Sequence, residues 1–169
     1  RTKKLNLLPL KALNVDDFFW NKYTRLVTKE IIPYQWKALN DEVADAEPSY
    51  CIDNFKVAAG LKEGTFHGWG FQDTDLAKWL EAVAYSLSYE PNEALEKLAD
   101  DAIDLVGKAQ QENGYINTHF SILHPGKQYC NLKEGHELYT TGHFIEAAIA
   151  YYEVTGKDKF LNIMKKNAD

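Results

Sequence analysis

The segment Lys78-Trp-Leu-Glu-Ala-Val-Ala-Tyr85 returns 65 residues later as His143-Phe-Ile-Glu-Ala-Ala-Ile-Ala150, with an aromatic–aliphatic–Glu–Ala run in register. The same offset aligns the apolar pairs Leu95 with Phe160, Leu98 with Ile163, and Ala99 with Met164. Each copy therefore predicts two amphipathic helices, separated by a break at 89–92 in the first copy and 155–157 in the second. Repeated helical hairpins bury their apolar faces against neighbouring hairpins in solenoids or closed toroids. The sequence predicts an all-α fold.

Bulk composition excludes several classes of protein. Hydrophobic residues make up 45% of the 169 residues and aromatic residues 13%, which is too apolar for a disordered chain. The net charge of −6 provides no basis for binding nucleic acid or an anionic membrane. No apolar run approaches the roughly 18 residues that a membrane span needs. We therefore expect neither a nucleic-acid partner nor a membrane partner.

The cysteines and the chain ends bear on location and length. Cys51 and Cys130 form neither a disulfide framework nor a zinc motif by themselves. We interpret them as reduced thiols of a cytoplasmic protein, although a removed signal peptide would leave no trace. The chain begins with Arg1 rather than Met and stops at Asp169 within or just after a helix. We expect it to be part of a longer protein.

Turn and cap residues divide the chain further. Residues 1–14 are predicted to be an extended lead-in, and hairpin units are expected around 75–112 and 137–167, within one partial domain spanning 1–169. Predicted N-caps are Asn14 or Asp16 for the first helix, Asp73 or Thr74 for the first repeat helix, and Asn92 for the next. Pro33 is expected to kink or end the first helix, and Asn113-Gly114 to close the helix that Asn92 opens.

Polar groups at the entries of the repeat helices are the candidate binding residues. The first entry carries Trp69, Gln72, Asp73 and Asp75, and the second carries His136, Glu137 and Tyr139. Helix N-termini favour anions and hydroxylated ligands, and aromatic rings beside acids and amides suit sugars. If the hairpins surround an axis, these groups line one mouth of a cavity. The alternative is that the aromatic rings pack in the core and Asp73 only caps its helix.

No catalytic constellation follows from spacing alone. His136 and His143 share one face of a helix, but they are too far apart along it to chelate one metal in the usual i, i+4 manner. Glu81 and Glu146 occupy equivalent repeat positions, which indicates a structural role rather than an acid–base pair. We therefore expect neither a catalytic residue nor a metal site in this chain.

Four strings, in this order and spacing, resemble the N-terminal part of glycoside hydrolase family 127, the β-L-arabinofuranosidases. They are Ile32-Pro-Tyr-Gln-Trp36, Phe71-Gln-Asp-Thr-Asp-Leu-Ala-Lys-Trp-Leu-Glu-Ala82, Ala109-Gln-Gln-Glu-Asn-Gly-Tyr-Ile-Asn-Thr118 and Gly135-His-Glu-Leu-Tyr-Thr-Thr-Gly-His-Phe-Ile-Glu-Ala147. The resemblance implies an (α/α)6 barrel of which this chain is the N-terminal portion, because six such units require about 390 residues. It also implies a retaining enzyme that releases terminal β-L-arabinofuranose.

The resemblance further implies which functional residues the chain contains. In the family a zinc-bound cysteine is the nucleophile and a glutamate is the acid/base, and neither Cys51 nor Cys130 lies in the family's ligand pattern. The chain is therefore expected to lack the catalytic residues and to be inactive alone, with Zn²⁺ bound only in the full-length protein. Gln35 and His136 match positions that contact sugar hydroxyls, and Asp73 and His143 are further candidates.

Two other interpretations remain open from the sequence. One is a different α/α-toroid enzyme, such as an unsaturated glucuronyl hydrolase or an epimerase-like protein. The other is a non-catalytic helical-repeat interaction module, although the Trp, Gln, Asp and His at helix entries favour a sugar pocket. Because an open partial barrel exposes apolar flanks, self-association of the chain is also predicted.

Overall fold

A computed structural model describes residues 8–169. The helices are α1 (Phe18–Leu26), α2 (Ile32–Leu39), α3 (Cys51–Ala58), α4 (Asp73–Tyr89), α5 (Glu93–Ala109), α6 (Thr118–Leu123), α7 (Leu132–Gly135), α8 (Glu137–Thr155) and α9 (Lys159–Ala168). A 3-10 turn at Leu10–Ala12 precedes α1, and a π-helical turn at Val27–Ile31 joins α1 to α2. The all-helical prediction is confirmed, since no strand occurs among residues 8–169.

The repeat in the sequence is a repeat in space. Helices α4 and α8 pack along each other, and their starts meet where Lys78 Nζ donates a hydrogen bond of 3.0 Å to the Tyr139 hydroxyl. The second helices of the two hairpins, α5 and α9, also lie side by side, and Gln110 Nε2 donates to the Ile163 carbonyl at 2.9 Å. Two hairpins thus stack in the same orientation, with the predicted breaks at the predicted positions.

The core lies where the hairpins meet. Leu80 and Val83 of α4 and Phe144 and Ala147 of α8 are fully buried, and Phe160 of α9 is 1% exposed. The fully buried alanines Ala77 and Ala84 of α4 and Ala147 and Ala148 of α8 allow the two helices to approach closely. Within residues 8–169, no helix is both long enough and apolar enough to cross a membrane.

The start of the chain differs from the prediction. Residues 1–7 of the expected lead-in lie outside the described part, and residues 10–12 form a 3-10 turn rather than extended chain. The cap of α1 is Asp17, not Asn14 or Asp16: its carboxylate accepts from the Phe19 and Trp20 amides at 2.8 and 3.0 Å. Asp16 instead accepts a hydrogen bond from the Asn21 side chain, so it is not free to cap.

Pro33 neither ends nor breaks the first helix. It lies in the first turn of α2, and the five residues before α2, Val27–Ile31, adopt π-helical hydrogen bonding, in which the Ile32 amide reaches the Val27 carbonyl. A π-turn widens the helix by one residue and accommodates the proline while the helical path continues.

Of the two caps predicted around α5, one is confirmed and one is wrong. The Asn92 side chain accepts from the Leu95 amide at 3.0 Å, as predicted. The helix ends at Ala109, before Asn113-Gly114, because Gln110 has an extended conformation. Gly114 has the positive φ expected of a helix-closing glycine, but it lies in a separate turn, in which its own amide donates to the Gln111 carbonyl.

Candidate functional site

The α1–α2 segment runs antiparallel to α4, which decides where Gln35 lies. The Thr28 hydroxyl accepts a hydrogen bond of 3.1 Å from the Ser86 hydroxyl, and the Ile32 carbonyl accepts one of 3.1 Å from Trp79 Nε1. Later residues of this segment therefore lie beside earlier residues of α4. One turn further on, Gln35 lies exposed towards the start of α4. The predicted candidate on α2 is therefore at the same end as the entries of α4 and α8.

A row of aromatic and imidazole rings lies along the first two turns of α8. The His136 ring lies edge-on between Phe71, at 5.2 Å between ring centroids, and Tyr139, at 6.1 Å. Tyr139 in turn contacts the His143 ring at 4.6 Å, and the Lys78 ammonium lies 5.2 Å from the centre of the Tyr139 ring. His136 and His143 thus share one helix face, as their spacing predicted, with Tyr139 between them.

A buried carboxylate holds the backbone around His136. Glu137 is 1% exposed; its two carboxylate oxygens accept from the Tyr129 amide at 3.0 and 2.9 Å, and the Tyr115 hydroxyl donates to it. His136 itself has a left-handed backbone with φ of 51°, which is unusual for a residue other than glycine. Burial, and then the Glu137 carboxylate, raise the pKa of the Tyr115 hydroxyl well above its usual range. Glu137 therefore fixes the backbone that presents His136.

Asp73 is not a helix cap. Its carboxylate, 1% exposed, accepts two hydrogen bonds from Thr118, from the amide at 2.6 Å and from the hydroxyl at 2.5 Å, whereas α4 begins without a side-chain cap. Burial raises the pKa of Asp73 to about 6, although the bonds from Thr118 act in the opposite direction. The capping prediction is wrong because the start of α6 lies over the start of α4, where the amide and hydroxyl of Thr118 both bond to the Asp73 carboxylate.

Halfway along α4 and α8, three residues form a cluster of possible metal ligands that the sequence did not predict. Donor atoms of Glu81, His143 and Glu146 all lie within 4.8 Å of one another. Within the group, His143 Nδ1 lies 3.3 Å from Glu146 Oε2, and Tyr85 donates to Glu81 at 2.8 Å. Two carboxylates and one imidazole are donor types that hold divalent cations, but the Glu146 side chain is 63% exposed and free to turn into solvent.

The cysteines do not fit the zinc site that the family resemblance implies. Cys51 is fully buried, and burial, with the nearby Asp73 and Asp75 carboxylates adding to it, raises the pKa of its thiol well above the usual value. A zinc ligand or nucleophile needs the thiolate, which this environment disfavours. Cys130 is exposed. The environment of Cys51 therefore does not suit a zinc ligand or a nucleophile.

The segment at 115–134, between α5 and α8, is held by contacts that no sequence pattern displays. This segment contains α6 and α7. It is held by hydrogen bonds to two buried carboxylates, Asp73 at the start of α4 and Glu137 at the start of α8. The sequence did contain one indication that these two carboxylates have a shared role: Asp73 and Glu137 are the first residues of the two repeat-related helices. Their partners, Thr118 and Tyr129, lie 45 and 8 residues away and carry no local pattern.

The stacked helical hairpins, in which α4 and α8 begin at the same end of the structure, define a partial α/α toroid. Residues 12–169 match the model of the β-L-arabinofuranosidase GH127 catalytic domain. The non-reducing end β-L-arabinofuranosidase of Bifidobacterium longum subsp. longum is 39% identical over 167 residues, covering 89% of this chain and 25% of that protein. The crystal structure of a GH127 β-L-arabinofuranosidase from Geobacillus stearothermophilus T6 is similar, with a TM-score of 0.91 and 57% identity over 92% of this chain and 25% of that one.

A further solved GH127 β-arabinofuranosidase has a TM-score of 0.82 and 32% identity, over 95% of this chain and 26% of that one. The chain belongs to glycoside hydrolase family 127. It forms the N-terminal part of the family's (α/α)6 barrel, as the repeat and the resemblance predicted, and it spans about a quarter of the length of these relatives. Membership of this family separates the chain from the unsaturated glucuronyl hydrolases and the epimerase-like proteins.

Proposed function

We propose that this chain is the substrate-binding quarter of a retaining β-L-arabinofuranosidase, within a single partial barrel domain spanning 1–169. The observation that carries the proposal is the left-handed His136, held by Glu137 at the mouth and set in a row with Phe71 and Tyr139. Imidazole and amide groups donate to and accept from sugar hydroxyls, while aromatic rings cover the apolar C–H face.

Within this proposal the four predicted residues have different tasks. Gln35 and His136, which approach the mouth from two helices, hydrogen-bond hydroxyls of the terminal L-arabinofuranose. His143, one level deeper, lines the same face, and the buried Asp73 supports the wall through Thr118. The nucleophile, the acid/base and the zinc ligands belong to the remainder of the protein, so the chain alone is inactive. A cytoplasmic location, which rests on the two unpaired cysteines, is part of the same proposal.

The test of this function is hydrolysis of p-nitrophenyl β-L-arabinofuranoside by the full-length protein and by the chain alone. We expect activity only in the full-length protein, and a loss of about a hundredfold in kcat/KM for Gln35→Ala or His136→Ala, because each removes hydrogen bonds to the reacting sugar. Lys37→Ala, two residues from Gln35 on the same helix and exposed, is the matched control and should retain full activity. Activity in the chain alone, or none in the full-length protein, contradicts the proposal.

The exposed aromatic residues of α1 support the prediction that the isolated chain self-associates. Phe18 is 99% exposed, and Phe19, Trp20 and Tyr23 beside it are 55%, 57% and 43% exposed. Light scattering should therefore detect dimers or larger species whose fraction grows with concentration, because association removes this apolar surface from water. The double variant Phe18→Ser/Trp20→Ser should shift the chain towards monomer. A wild-type monomer at all concentrations, with a sharp unfolding transition, would count against the open partial barrel.

A further inference from the structure

We propose that Glu81, His143 and Glu146 bind a divalent cation of the series from Mn²⁺ to Zn²⁺. The cation links α4 to α8 halfway along both helices. The inference goes beyond the proposed function, which assigns no metal to these residues, and it differs from the sequence-based expectation that the chain holds no metal site. That expectation considered spacing along a single helix, whereas here one ligand comes from the neighbouring helix.

The three side chains are spaced as metal ligands. Their donor atoms lie within 4.8 Å of one another, and His143 Nδ1 lies 3.3 Å from Glu146 Oε2. Neighbouring ligand atoms around such a cation are about 3–3.5 Å apart, because each bond to the metal is about 2.0–2.2 Å long. A small rotation of the Glu81 side chain is sufficient to bring its carboxylate to the same centre. A histidine and a glutamate three residues apart on one helix, joined by a glutamate from a facing helix, resemble the ligand sets of metal sites in helical bundles.

The imidazole of His143 presents a buried nitrogen to this group. Nδ1 has no hydrogen-bond partner among residues 8–169, because its contact with Glu146 does not have hydrogen-bond geometry. The ring itself is held in place by the edge contact with Tyr139, at 4.6 Å between centroids. A buried polar atom without a partner is commonly explained by a water molecule or an ion. The lone pair of a neutral imidazole nitrogen is a frequent metal ligand.

Three glutamates concentrate negative charge at the same place. Tyr85 donates to Glu81 at 2.8 Å. This bond, then burial, then the charges of Glu81, Glu146 and Glu153 raise the pKa of that hydroxyl to about 12. Within the described part of the chain, no lysine or arginine pairs with these glutamates, and Lys78, one turn before Glu81, bonds to a tyrosine hydroxyl of α8 instead. A divalent cation neutralises two carboxylates, and the bond from Tyr85 orients one of them as a ligand.

The experiment measures Mn²⁺ binding to the full-length protein by electron paramagnetic resonance, with one equivalent of Zn²⁺ present to occupy thiolate ligands, which prefer zinc. We expect the wild type to bind Mn²⁺ and Glu81→Gln and His143→Ala to bind it at least about a hundredfold more weakly, because each loses a ligand. Tyr85→Phe, which loses only the hydrogen bond to Glu81, should bind about tenfold more weakly. Glu153→Gln is the matched control: it removes an equal nearby charge but no ligand, and its affinity should stay within about twofold of the wild type.

Two results would overturn the inference. Equal losses in Glu153→Gln and Glu81→Gln would mean that the glutamates attract cations only as a diffuse negative surface, and a wild type that binds no Mn²⁺ at millimolar concentration has no such site. A measurement on the wild type alone does not depend on the folding of any variant: the spin-echo modulation of bound Mn²⁺ should reveal one coordinated imidazole nitrogen, and its absence would reject His143 as a ligand. None of these measurements uses hydrolysis of an arabinofuranoside, so a failure of the proposed function is distinguishable from a failure of the metal site.

Discussion

Glu137→Ala is expected to lower the free energy of unfolding of the chain by about 3–5 kcal/mol, because it removes a buried carboxylate that accepts hydrogen bonds from two residues. The buried Tyr115 hydroxyl and the partly buried Tyr129 amide would both lose their acceptor. The negative charge of Glu137 also lies in the first turn of α8, where the helix dipole favours it. Both contributions disappear in the alanine variant.

Urea unfolding at low protein concentration, followed by helical circular dichroism, measures this loss. Glu137→Gln keeps one carbonyl oxygen for the Tyr129 amide, so it should cost only about 1–2 kcal/mol. Glu134→Ala is the matched control, because that side chain is 67% exposed and pairs only with exposed Lys133; it should leave stability unchanged. A Glu137→Ala variant as stable as Glu134→Ala would mean that Glu137 does not anchor the loop.

Gly114→Ala should be the second large effect, with a loss of about 3 kcal/mol or more, because main chain occupies the space that a side chain needs. A Cβ atom at Gly114 would lie 2.0 Å from the Lys166 carbonyl oxygen of α9. The contact cannot be relieved by turning a side chain, so α9 must move away from the turn. That movement would also strain the hydrogen bond of 3.0 Å from Asn167 to the Gly114 carbonyl.

A second glycine separates this clash from backbone strain. Gly126 has a similar φ of +82°, against +91° for Gly114, but no atom lies within 4 Å of the position its Cβ would occupy. Gly126→Ala should therefore cost only the left-handed conformation, about 1–2 kcal/mol. The difference between the two variants in urea unfolding isolates the packing of α9. If both lose the same amount, the close approach of α9 to Gly114 contributes nothing.

Periodicity and cap chemistry in the sequence determined the helices and their stacking. The register of Trp79-Leu-Glu-Ala with Phe144-Ile-Glu-Ala placed α4 and α8 as equivalent units, because apolar residues at helical spacing must face a neighbour. Asn92 marked the start of α5 for a local reason: its side chain bonds to an amide three residues away. The break predicted at 155–157 contains Gly156, the C-cap of α8, where its φ is 76°.

Only the tertiary structure decided what the carboxylates and the loops do. Asp73 has the residue type and position of a cap, yet its charge is satisfied by Thr118, 45 residues away. Glu137 is bonded to the loop before it rather than to its own helix, and Glu81 meets His143 and Glu146 across two helices. Helix formation depends on neighbours within a turn, which the sequence displays directly. A buried carboxylate accepts hydrogen bonds from the donors that lie within about 3 Å of it, and distant parts of the chain bring those donors close only after folding.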